Sequence, residues 1–171
     1  MEVTNLVFTT RVGESLNLPR IAQTTGDAKY SPRQFRGLIL KIQNGTCIVF
    51  HNGKVVIVGV KSRKQAEQTM LGLVDTLGRV GETVSAGVLC LKNVVAYHNY
   101  GVKVCLPNLY NALRQYYEIS FEPEISPALV LKLPYTVLIF HNGKVIFTGL
   151  KNFADLDVAY EKVKQLLTNP Q

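Results

Sequence analysis

The sequence predicts an α+β fold built twice over, and three observations predict it. Residues 50–59, Phe-His-Asn-Gly-Lys-Val-Val-Ile-Val-Gly, return almost letter for letter at 140–149 as Phe-His-Asn-Gly-Lys-Val-Ile-Phe-Thr-Gly. Each copy is centred on an Asn-Gly pair between β-branched runs, the strongest short-range hairpin signal, because both residues of a two-residue turn need positive φ. Each copy is followed by a long segment with apolar residues at helical spacing. The repeat extends outward: residues 37–41 match 128–132 at an offset of 91, and Asn5-Leu6-Val7 matches Asn93-Val94-Val95 at an offset of 88. The halves, 1–82 and 83–171, are each roughly 85 residues, domain-like but small, so two of them fused as a saddle or pseudo-dimer are expected.

In chain order the first half should hold a strand near 3–11, a short helix starting near Leu18-Pro19, where proline suits a first turn, and a strand at 37–43. A hairpin pairing 46–51 with 54–59 follows. Its helix should run from Ser62 to Val80, with Ala66, Met70, Leu73, Val74 and Leu77 on one face. The second half repeats this with strands at 88–97 and 128–133, a helix start at Pro107-Asn108 and a hairpin of 136–141 with 144–149. Its long helix begins after Lys151 and carries Phe153, Leu156, Tyr160, Val163 and Leu167.

The hairpin strands do not alternate. Residues 47–50, 55–58, 137–140 and 145–147 are apolar on both faces, whereas an antiparallel sheet backed by helices normally shows water a polar second face. The helices cover one layer, which leaves a broad apolar face for a ligand or partner. A sandwich or a homodimer interface would also use it.

Composition narrows the function classes. With 47% hydrophobic and 18% charged residues the chain is ordinary globular protein. Cys47, Cys90 and Cys105 are odd in number and lack metal-ligand spacing, which points to a reducing compartment, and no segment reads as a signal peptide or membrane span. The net charge of +7 favours an anionic partner. Residues 1–82 carry 11 Lys/Arg against 6 Asp/Glu and residues 83–171 carry 8 against 6, so the first half is the more electropositive. His51, His98 and His141 lack nearby carboxylate or cysteine pairs, so no metal, cofactor or enzymatic centre is expected.

These motifs meet a family. The Asn-x-Val starts, Ser31-Pro32-Arg33-Gln34-Phe35 and Phe121-Glu122-Pro123-Glu124-Ile125, the Phe-x-x-Gly-Lys hairpins, and the exits Gly59-Val60-Lys61 and Gly149-Leu150-Lys151 occur in order across nearly the whole chain. The sequence closely resembles the conserved core of the TATA-box-binding protein family. The resemblance implies a saddle of curved antiparallel sheet with helices on its convex face, and a concave face that covers and bends A/T-rich promoter DNA from the minor groove. Minor-groove bending by intercalating side chains is that family's own mechanism and is carried over rather than deduced from these residues.

Residue roles follow from the resemblance where the motif holds. Asn5 and Asn93 match the central asparagines that meet adenine N3 and thymine O2. Val7, Val95, Ile48, Leu138, Val56 and Ile146, with Thr148, match the groove-floor contacts. Phe35, Phe50 and Phe140 match three of four intercalating phenylalanines, and the fourth position is Ser126. Lys41 with Lys132, Lys54 with Lys144, and Lys61 with Lys151 match phosphate contacts, while Glu122, Glu124 and Ile125 match the segment that receives a factor IIB-like protein. Departures are Ser126, Val58 in place of threonine, Arg36 in place of a small residue, and shortened loops at 43–46 and 133–136. On the first long helix Glu67, Leu71, Gly72 and Asp75 replace most of the family's basic surface, which leaves a factor IIA-like partner open. The family acts in the nucleus, and divergence of this size also suits the transcription site of a large DNA virus. A protein-interaction scaffold or decoy with weak DNA binding is the alternative function.

Overall fold

The computed structural model describes residues 1–168. The chain forms two compact units, one spanning Asn5–Lys92 and the other combining Met1–Thr4 with the residues from Asn93 onward. The first repeat runs β1 (Glu2–Arg11), α1 (Leu18–Thr25), β2 (Lys29–Ser31), β3 (Phe35–Ile42), β4 (Gly45–Val49), β5 (Lys54–Val60) and α2 (Arg63–Arg79). The second runs β6 (Cys90–Asn99), α3 (Leu106–Leu113), β7 (Glu118–Ser120), β8 (Ala128–Lys132), β9 (Thr136–Phe140), β10 (Lys144–Leu150) and α4 (Phe153–Thr168). The α+β class and the tandem repeat are those read from the sequence. The three-residue strands β2 and β7 were not anticipated, because segments so short carry no periodicity.

Strand order is β2-β3-β4-β5-β1 in the first repeat and β6-β10-β9-β8-β7 in the second, antiparallel at each of these pairings. Burial alternates along every long strand. Leu6, Phe8, Leu38, Leu40, Cys47, Val49, Val55 and Ile57 are buried, and so are Val94, Ala96, Leu129, Leu131, Val137, Ile139, Val145 and Phe147. The helices pack on this side. Ala66, Met70, Leu73 and Leu77 of α2, and Leu156, Ala159, Val163 and Leu166 of α4, are their buried stripes, spaced three and four apart as a helix facing a sheet requires. Ser62 caps α2 by accepting the Gln65 amide at 3.2 Å, and in α4 Asn152 does the same for Asp155 at 2.8 Å.

The hairpin turns correct one expectation. Gly53 and Gly143 have φ of 77° and 80°, but Asn52 and Asn142 do not take positive φ. The Gly53 amide donates to the Phe50 carbonyl at 2.9 Å and the Gly143 amide to Phe140 at 3.0 Å. Each turn is therefore a β-turn over Phe-His-Asn-Gly whose last residue alone is left-handed, the form common in three-residue hairpin loops. The asparagines act through their side chains, accepting the amides of Lys54 at 3.2 Å and Lys144 at 3.1 Å. Glycine is required on space as well: a Cβ on Gly53 would lie 1.8 Å from the Gly13 carbonyl oxygen, and one on Gly143 2.2 Å from that of Val102.

His98 is half-buried. Its ring lies edge-on to Tyr100 and Tyr160, at 4.6 and 4.9 Å between centroids. Burial, then the nearby chain amino terminus, lower its pKa.

Candidate nucleic-acid interface

The side of each sheet away from the helices carries the other half of the alternation. In the first repeat it presents Asn5, Val7, Thr9, Ile39, Ile48, Phe50, Val56 and Val58, all partly accessible; in the second it presents Asn93, Val95, Tyr97, Val130, Leu138, Phe140, Ile146 and Thr148. Register makes neighbours of these residues across strands, Ile48 with Val56 and Leu138 with Ile146. No described element covers either surface. The double-sided apolarity of the strands thus has a structural meaning: one set of side chains meets helices, and the other is left partly accessible.

Each asparagine is oriented by a β-bulge. Between Leu6 and Phe8, β1 advances two residues while β5 advances three, from Ile57 to Val60; β6 and β10 repeat this between Val94–Ala96 and Phe147–Leu150. Gly59 and Gly149 occupy the bulges at φ of 82° and 83°, a conformation that costs glycine little. Their amides point at the asparagines: Gly59 N–H donates to Asn5 Oδ1 at 2.7 Å and Gly149 N–H to Asn93 Oδ1 at 2.9 Å. A backbone N–H can only donate, so the partner must be the carbonyl oxygen, which fixes the amide flip. The two NH₂ donors of each side chain are left for an acceptor on the open face.

The aromatic residues differ between repeats. Phe35 and Phe50 meet edge to face with centroids 6.1 Å apart and planes at 69°, and Phe35 is 44% exposed. Phe35 lies over Gly37, where a Cβ would come within 2.6 Å of its ring. In the second repeat Phe140 pairs with Ala128, the counterpart of Gly37. Ser126 turns inward to the chain and accepts the Ala128 amide through its hydroxyl at 3.3 Å. This half lacks both the ring and the space the ring would use.

The lysines are exposed, and four of the six lie on the open side. Lys41, Lys54, Lys132 and Lys144 share strand parity with the apolar residues, while Lys61 and Lys151 follow β5 and β10 at the strand exits. Lys132 Nζ donates to Thr136 Oγ1 at 3.2 Å. Residues 122–126, the segment that ends in Ser126, form a tight turn in which the amides of Ile125 and Ser126 both donate to the Glu122 carbonyl at 2.9 Å. It presents Glu122, Glu124 and an 80% exposed Ile125. On α2 the acids Glu67 and Asp75 are each engaged by an arginine one turn away, Arg63 at 3.1 Å and Arg79 at 2.8 Å.

Thr9, Ile39, Tyr97 and Val130 also belong to the open faces and were not singled out from the sequence. Counting every second residue onward from Asn5 and Asn93 would have found Thr9 and Tyr97. Tyr97 lines a cavity of about 390 Å³ with Val95, Phe140, Lys144 and Ile146.

The family model described as "Transcription factor TFIID (or TATA-binding protein, TBP)" matches residues 1–80 and 89–169. The TATA-box-binding protein of Methanocaldococcus jannaschii is 30% identical over 177 residues, covering 100% of this chain and 95% of that protein. That of Archaeoglobus fulgidus is 32% identical, with 98% and 94% covered, and the TBP-related factor of Drosophila melanogaster is 32% identical, with 95% and 74% covered. The solved structure of Methanococcus jannaschii TBP superimposes with a TM-score of 0.87 at 29% identity, covering 98% of this chain and 97% of that one. With both repeats matched and the two archaeal relatives covered nearly end to end, the chain belongs to the TATA-binding protein family.

Proposed function

We propose that this chain is a transcription-initiation factor that binds A/T-rich promoter DNA in the minor groove through the open face of each repeat, bends it, and seats a factor IIB-like protein. The observation that carries the reading is the orientation of Asn5 and Asn93. Each amide offers donors only, in the middle of an apolar surface. The minor-groove floor of A·T pairs offers acceptors only, while G·C adds a guanine N2 donor that such a site cannot satisfy. Val7, Ile48, Val56 and their counterparts exclude water from the contact, and lysines at its margin neutralise phosphates. The Phe35–Phe50 pair enters a base step, and the kink it makes brings more groove onto the protein. The reaction is binding alone. Its setting is the place where the genome is transcribed, a nucleus or the transcription site of a large DNA virus.

The exposed turn with Glu122, Glu124 and Ile125 supports the second contact: an apolar tip flanked by two carboxylates suits a basic partner surface. A factor IIA-like contact on α2 has less support, because Glu67 and Asp75 stand there, each paired to an arginine. Ser126 and Ala128 favour one competing reading, a scaffold that keeps the fold but holds DNA weakly. A gel shift comparing TATA-containing with scrambled duplexes, with and without a factor IIB-like protein, separates the two. Minor-groove function requires preferential retention of the A/T duplex. Glu122→Lys with Glu124→Lys should abolish the ternary complex while DNA binding stays intact.

A further inference from the structure

The two repeats differ at the far end of β1 and β6. Following the open-face parity from Asn5 through Val7 and Thr9 leads to Arg11, and from Asn93 through Val95 and Tyr97 to Asn99. Arg11 stands directly opposite Lys54 in the β1–β5 register, and Asn99 directly opposite Lys144 in the β6–β10 register. Like charges facing each other across an antiparallel pair oppose folding, so the Arg11–Lys54 arrangement has no explanation in strand pairing. Neither cation forms an ion pair among the described residues. Arg11 Nη1 donates to the Asn52 carbonyl of the hairpin turn at 2.8 Å, which holds the guanidinium beside Lys54 with its remaining donors unused. Both side chains line one cavity of about 610 Å³, together with Glu14, so its charged lining remains cationic on balance. In the second repeat the equivalent Asn99 accepts the Gly101 amide at 3.0 Å and brings no charge.

We propose that Arg11 and Lys54 form a two-cation phosphate site on the first repeat, a backbone contact with no counterpart on the second. It rests on the DNA-binding reading above and adds to it an inequality: the first repeat grips the phosphate backbone harder, in keeping with its greater share of positive charge. A guanidinium fork next to an ammonium suits two neighbouring phosphodiesters of one strand, the fork holding one by paired hydrogen bonds and the lysine the other as a point charge.

The test is the salt dependence of binding to one A/T-rich duplex, measured for the wild type, Arg11→Ala, Arg11→Lys and Asn99→Arg. Each phosphate neutralised contributes about 0.9 to the slope of log K against log salt. Arg11→Ala should lower the slope magnitude by about 0.9, Arg11→Lys should keep most of it, and Asn99→Arg should raise it by about the same amount. A wild-type slope in Arg11→Ala, with melting temperature unchanged, overturns the site while leaving the DNA-binding reading in place. If Arg11→Lys falls as far as alanine, the contact is not made by charge and the proposal fails. A wild type without salt-dependent binding to any duplex removes the functional reading and this site together.

Discussion

Asn5 shows how one side chain can join folding to recognition. Its oxygen satisfies the bulge amide of Gly59, and its NH₂ is left for the groove acceptors of the proposed contact. Asn5→Asp keeps an acceptor for Gly59 while deleting both donors and adding a negative charge. The variant should fold normally yet lose its preference for A·T over G·C duplexes in competition gel shifts; retained preference would take Asn5 out of the readout. Ser126 poses the reciprocal question. Because Phe35 needs the missing Cβ of Gly37, Ser126→Phe alone should place its ring poorly against Ala128. Ser126→Phe combined with Ala128→Gly should increase the DNA bend measured by energy transfer between duplex ends and slow dissociation. The double variant should clearly exceed the single one, and equal effects would mean that wedge packing does not limit that end.

At the level of the element, a strand with two apolar faces divides its labour by parity. Along β5, Ile57 is fully buried beneath the helices and Val56 is on the open face. Ile57→Ala should cost roughly 2–5 kcal/mol in denaturant unfolding, the ordinary range for large-to-small core changes. Val56→Ala should cost under about 1 kcal/mol of stability but weaken DNA affinity about tenfold, from the apolar area it no longer buries on binding. Comparable stability losses at both positions would mean that the open face is covered within the folded protein. Most elements were legible because each was long enough to show a period, and Ser62 and Gly53 mark boundaries that sequence alone identifies. The turn conformation at Asn52 was not legible: the same Asn-Gly pair serves a two-residue turn or a longer one, and the choice rests on contacts with the Gly13 segment, distant in sequence.

For the molecule as a whole, the core sets an alkaline limit. Burial pushes the Cys47 thiol from its ordinary value of 9.0 up to about 12. Below pH 9 the folded and unfolded chains both hold this proton, so the group adds no pH dependence. Between pH 9 and about 12 only the unfolded chain releases it, so stability falls as pH rises. The loss approaches about 4 kcal/mol across that window. Urea unfolding at pH 8 and pH 11 should show a smaller decline in Cys47→Ala than in the wild type, the difference isolating this thiol from the tyrosines and lysines that titrate nearby. Equal declines would show that Cys47 meets solvent.

The duplication, the order of the longer strands and the helices, and the presence of a surplus apolar face were all determined by the sequence itself, since periodicity and turn chemistry are local properties. The same holds for the candidate contacts as residue types. Which way the Asn5 and Asn93 amides point, that Phe35 needs Gly37 beneath it, and that Arg11 faces Lys54 were decided by tertiary structure alone. Each depends on register between strands separated by dozens of residues. A single bulged residue shifts which side chains meet, and nothing within one strand's own sequence records its partner's count.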